Sequence, residues 1–145
     1  MNCIFCEIIA GHLPGSFVFR GEQVVAFLSL EQPNPYKVLV APRAHVETLW
    51  DLDENLAAAI FQTTVRIARA IRTVSGCEGL NIIQSNGTAA QQEIFHFHIH
   101  LLPRFADDTP QGRVLLQWEH AESSRQRLDQ LAQELRLGLH VQEGR

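Results

Sequence analysis

The chain has 145 residues, 46% of them hydrophobic, enough for a single compact domain with a proper core; its three cysteines are too few for a disulfide framework. A formal net charge of -4 without any basic block argues against a nucleic-acid or membrane surface, and no apolar run reaches bilayer-spanning length. The opening MNCIFCEIIAG lacks the charged region and longer apolar run of a signal peptide, so a reduced, cytoplasmic protein is expected.

Residues 3–10 are expected to form one or two helical turns that stop at Gly11. EQVVAFL (22–28) and KVLVAPR (37–43) read as strands rich in Val, Leu and Phe, separated by the turn-forming QPNPY. The strongest helical pattern runs from Asp53 to about Val74. Asp53 is its N-cap, Leu56, Ile60, Ile67, Ile71 and Val74 form one stripe, and Gly76 lies just past its end. LNIIQS (80–85) is a further apolar run, and NGTAAQQE reads as a loop. In FHFHIHLL (95–102) strict alternation predicts a strand with Phe95, Phe97, Ile99 and Leu101 toward the core. A last helix is expected over 121–137, with Gly138 as its stop. There is no internal repeat or linker. The pattern predicts an α+β fold: a mostly antiparallel sheet with helices on one face, one of them long and central and one C-terminal.

The alternation puts His96, His98 and His100 in a row on the other face. Three adjacent groups that titrate near neutrality repel one another when charged. Such a row holds an anion, holds a metal, or keeps its imidazoles mostly neutral. A merely polar strand face is the bland alternative, but Ser, Thr or Lys would serve there without the titration problem. Two histidines at i and i+2 can converge on a zinc ion. A neutral imidazole is also a good nucleophile toward phosphorus, with its neighbours donating to phosphate oxygens. Periodicity alone leaves these readings open.

CIFC (3–6) is a CxxC, and PRAHVETL (42–49) places His45 just after a strand. A redox CxxC is expected between a strand and a helix of a βαβ unit, which this position does not provide. Cys3 and Cys6 with two histidines would complete a closed tetrahedral zinc site. His45 and an end member of the row are the natural partners. Cys77, His12, His120 and His140 belong to no constellation and read as surface or packing residues.

NCIFCEIIAG, VVAFLSLEQPNPYKVLVAPRAHVETLWDL and GLNIIQSNGTAAQQEIFHFHIHLLPRF resemble, in order, the landmarks of the histidine triad (HIT) family of nucleotide hydrolases and transferases. The resemblance covers roughly residues 3–105, and the alternating signature at 96–102 is highly specific. FQTTVRIARAI is similar to the central helix of the dinucleoside polyphosphate hydrolases of that family. The CxxC with two histidines resembles the zinc-carrying bacterial and phosphoramidase-like members.

The resemblance implies a HIT domain over 1–112; the tail over 113–145, with Trp118, lies beyond the strong match and is expected to be a C-terminal helical extension of the same domain covering the nucleotide site or a dimer partner. It implies that His98 is the nucleophile, that His100 stabilises the phosphate charge, and that His96 joins Cys3, Cys6 and His45 around a structural zinc. Gln92 matches a glutamine near the phosphate or leaving group. Ser85 stands where asparagine or glutamine usually contacts the phosphate, which implies a weaker contact or one moved to Asn86. Ser29 stands where an acidic or amide residue usually holds the ribose. The usual Gly-His before the third strand is Tyr36-Lys37 here, and the usual glycine before Gln92 is Gln91. The implied activity is hydrolysis at the α-phosphate of an adenosine (purine) nucleotide conjugate through a nucleotidyl-histidine, releasing AMP. Dinucleoside polyphosphate hydrolysis, or nucleotide binding without turnover, are the alternatives. A homodimer is expected.

Overall fold

The computed structural model describes residues 3–108 and 120–144. In chain order these form α1 (Ile4–Ala10), β1 (Phe17–Arg20), β2 (Val24–Leu28), β3 (Val38–Pro42), α2 (Glu54–Ser75), β4 (Gly79–Ile83), β5 (Ile99–Arg104) and α3 (Arg125–Glu143), with short 3-10 turns at Leu49–Asp51 and Thr88–Ala90. The five strands make one antiparallel sheet in the order β1-β2-β3-β5-β4. The α+β expectation holds.

Alternation along the central strands sorts the core into two layers. Val24, Ala26, Val38, Val40, Ile99 and Leu101 pack with Ile60, Ile67 and Ile71 of α2. Val25, Phe27, Leu39 and Ala41 turn the other way and pack with Cys3 and Phe5 at the start of the chain. The helices are therefore not all on one face: α2 covers one side of the sheet and the short α1 the other. At β3 every residue is buried, as a strand covered on both faces requires.

Asp53 caps α2, accepting from the backbone N–H groups of Asn55 and Leu56, an arrangement worth about 1 kcal/mol. Gly76 ends the helix in the left-handed region (φ 66°). Val74 leaves the expected stripe and is exposed, and Cys77 closes the core beyond the cap instead. β1 was not expected from the sequence. The histidine strand starts later than its alternation suggested: sheet pairing begins at Ile99, and Phe95 is exposed rather than in the core.

By contacts the chain divides into two compact units, Met1–Arg113 and Val114–Arg145. In the second, Ser124 caps α3 through the Arg127 N–H, and the helix runs through Gly138 to Glu143 instead of stopping there. The expected boundary at 112/113 and Trp118 lie outside the described residues. None of the described helices is long and apolar enough to cross a membrane.

Candidate functional site

Three short segments converge on the face of the sheet opposite α2. The first turn of α1 brings Cys3 and Cys6, the loop leaving β3 brings His45, and the extended run into β5 brings His96. One ligand atom from each lies within 4.8 Å of the others. Nδ1 of His96 is 3.5 Å from both sulfurs, and Nδ1 of His45 is 3.4 Å from Cys6 Sγ. Around a tetrahedral zinc with bonds of about 2.3 Å to sulfur and 2.0–2.1 Å to nitrogen, the sulfur–nitrogen edge is about 3.5 Å. The residues present therefore fit a tetrahedral metal ion.

The surroundings suit that role. His96 is fully buried and donates from Nε2 to the Pro42 carbonyl at 2.8 Å, which leaves Nδ1 as the free lone pair. Burial lowers its pKa, the Pro42 bond opposes this, and neighbouring imidazoles lower it further. A neutral ring is what a metal needs. Among the described residues His45 Nε2 is buried without a hydrogen-bond partner, with Glu47 Oε1 3.9 Å away. Burial and the adjacent Cys3 push the Cys6 thiol up, and a bound cation reverses that balance.

His98 uses its nitrogens the other way round. Nδ1 donates to the His96 carbonyl at 2.7 Å, so Nε2 carries the lone pair. The ring is buried, with Phe5 edge-on at 5.0 Å and His100 at 4.8 Å between centroids. Burial lowers its pKa, against the raising effect of the carbonyl bond, and the Lys37 charge lowers it further. His100 is pushed down to about 4 by burial and then by the charges of His98 and Lys37. Both are uncharged at neutral pH.

The other expected contacts are placed unevenly. Gln92 is buried and fully engaged with backbone: Oε1 accepts from Gly87 N–H, and Nε2 donates to the carbonyls of Glu47 and Ile94. It braces the loop leading into the histidines. Asn86 accepts from Leu49 N–H at 2.7 Å and pairs with Gln84, tying the β4 exit to the turn after His45. Ser85 makes no side-chain hydrogen bond among the described residues and is half-buried. Ser29 accepts from Glu31 N–H, and its own N–H donates to the Lys37 carbonyl. Sequence reasoning noted Lys37 only as a departure from the usual Gly-His, whereas the residue is buried. The one available signal was a lone cation directly before a strand whose neighbours are all core residues.

Residues 10–107 match the sequence profile of the HIT domain. The chain belongs to the HIT family. It is 41% identical over 113 residues to Protein hit of Bacillus subtilis, covering 78% of each chain. It is 31% identical over 104 residues to adenosine 5'-monophosphoramidase hnt1 of Schizosaccharomyces pombe, covering 72% of this chain and 75% of the relative. Among solved structures, a Streptococcus mutans protein superposes with a TM-score of 0.88 at 38% identity, covering 96% of this chain and 87% of that one. A zinc-bound HIT protein from Mycobacterium smegmatis gives a TM-score of 0.71 at 33% identity, covering 74% and 78%. In this HIT chain the triad histidines divide between a cluster able to hold a metal and a neutral pair beside it.

Proposed function

We propose that this HIT protein hydrolyses at the α-phosphate of an adenosine (purine) nucleotide conjugate. The observation that carries the reading is the hydrogen bond from His98 Nδ1 to the His96 carbonyl, which leaves Nε2 unprotonated beside a second neutral imidazole. Nε2 attacks phosphorus and the bond to the leaving group breaks; the leaving amine takes its proton from water, while a nucleoside phosphate departs as the anion. Water then breaks the phosphorus–nitrogen bond of the nucleotidyl-histidine, releasing AMP and restoring the imidazole. His100 donates to or polarises the phosphate oxygens. Gln92 holds the loop, while Ser85, Asn86 and Ser29 line the nucleotide side. The yeast relative's name, a monophosphoramidase, supports this general class.

The metal is zinc in this reading, held by Cys3, Cys6, His45 and His96. When bound it supplies structure alone, because four protein ligands leave no open position. Thiols that must stay free for it suit a reducing, cytoplasmic setting. A homodimer is favoured by β4, which is an edge strand of the sheet, together with exposed Phe61, Val65 and Ile82.

The test is incubation with an adenosine phosphoramidate and with diadenosine polyphosphates, followed by chromatography for AMP. AMP from the phosphoramidate is expected. Release from the dinucleotides alone favours the polyphosphate hydrolase. Tight nucleotide binding with no AMP from either substrate overturns hydrolysis in favour of a binding module.

A further inference from the structure

Lys37 is an unusual residue to find where it is. It is only 9% exposed, directly before a strand whose five residues are all buried. Among the described residues no carboxylate pairs with its ammonium and no side-chain hydrogen bond engages it; only its backbone is bonded, to Gln32 and Ser29. Its stem is buried while its ammonium is not fully enclosed, since the one buried unpartnered side-chain atom among the described residues is His45 Nε2, so the charge is held at the open side of the site.

Its direction follows from the sheet register. Leu39 pairs with His100 across β3 and β5, so the two share a face. Lys37, two residues earlier, continues the alternation on that face. The Ser29 N–H to Lys37 carbonyl bond extends the β2–β3 ladder by one pair and puts Ser29 beside it. The charge of Lys37 is felt at His100. Two braces fix the approach. Tyr36 holds a left-handed conformation (φ 73°) that turns the chain into β3, and buried Asn34 donates to the Pro103 carbonyl and to Asp108.

We propose that Lys37 is an anion-binding residue of this site, its ammonium contacting the non-bridging oxygens of the phosphate that faces His98 and His100. The imidazoles offer hydrogen bonds but no charge, so Lys37 is the cation that balances the phosphate. The identity of the anion as a nucleotide phosphate rests on the reading above; the existence of the anion site does not.

The experiment measures AMP binding by calorimetry at several salt concentrations for the intact protein and for Lys37→Met and Lys37→Arg, with melting curves to verify folding. Lys37→Met should weaken AMP roughly 10- to 100-fold and flatten the salt dependence, while Lys37→Arg should restore most of both. Turnover of the phosphoramidate and of a diadenosine polyphosphate should fall alike. In a 15N NMR titration the His100 pKa should rise in Lys37→Met, a change that lost packing alone would not give. If Lys37→Met unfolds, Lys37→Gln carries the same comparison. Unchanged AMP affinity and salt dependence in a folded variant overturn the proposal. So does a loss confined to the diadenosine substrate, which would move Lys37 to the leaving group. Binding is read without turnover, so an inactive wild type that binds AMP through Lys37 refutes hydrolysis and leaves this site standing.

Discussion

His96 and His98 are two residues apart on the same face, yet they are wired in opposite senses. His96 gives Nε2 to a carbonyl and turns Nδ1 toward two thiols; His98 gives Nδ1 to a carbonyl and leaves Nε2 free. The same side chain becomes a candidate metal ligand in one place and a candidate nucleophile in the other. The backbone oxygen within reach makes the choice, because it fixes which nitrogen carries the proton. Role is thus set one shell outward from the imidazole.

The sharpest way to break this contrast is His98→Ala. Turnover should drop by about 10⁴-fold or more, since no other group can form the covalent intermediate, while the protein stays folded and AMP affinity changes little. Single-turnover kinetics with the adenosine phosphoramidate check it, and near-normal rates would remove His98 as nucleophile.

Cys3→Ser acts on the other half. Metal content by plasma mass spectrometry should fall from about one zinc per chain toward none, the melting temperature should fall by several degrees, and activity should fall roughly 10- to 100-fold, less than for the nucleophile. Wild type purified without chelators that carries no zinc and reacts at both thiols would refute the cluster.

Acidification tests the neutral pair. His100 has a folded pKa of about 4, below the ordinary 6.5, because it is buried beside His98 and Lys37, the titratable groups that face it. Between these values the unfolded chain binds more protons than the folded one, so stability is present above about pH 6.5 and is lost as pH falls toward 4. Melting temperatures across that window should decline, and less steeply in His100→Gln. Parallel curves would show that His100 is not the group responsible.

The smallest effect is expected at Gln91, which sits in the left-handed region (φ 63°) where the HIT pattern usually has glycine. Gln91→Gly should stabilise by about 0.5–1 kcal/mol: relief of backbone strain outweighs the added entropy of the unfolded chain. Urea melts resolve a change of that size.

Much of this was legible in the chain. The central strands announce themselves through Val- and Leu-rich runs, and α2 through its stripe, its Asp53 cap and Gly76. β1 escaped because FVFR is short and alternates between half-buried and exposed. Gly138 misled because a glycine stops a helix only where the backbone needs a left-handed turn, and here the helix continues through it. The metal cluster could be read from residue types, since thiols and imidazoles at these spacings have few other uses. Lys37 could not, because burial of a lone lysine is a tertiary fact that no local pattern carries. Gln92 was identified, but its engagement with three backbone groups was hidden in the loop's path.

The sheet ladder does not start until Ile99, so residues 95–98 lead into β5 without its regular hydrogen bonds. Other bonds hold them: the Phe97 N–H to the Val46 carbonyl at 2.6 Å, the His96 ring to Pro42, and the His98 ring to the His96 carbonyl. A metal held by His96 together with Cys3, Cys6 and His45 would then act as a further tie. It would tie down the segment before β5, and with it the carbonyl from which the next histidine takes its aim.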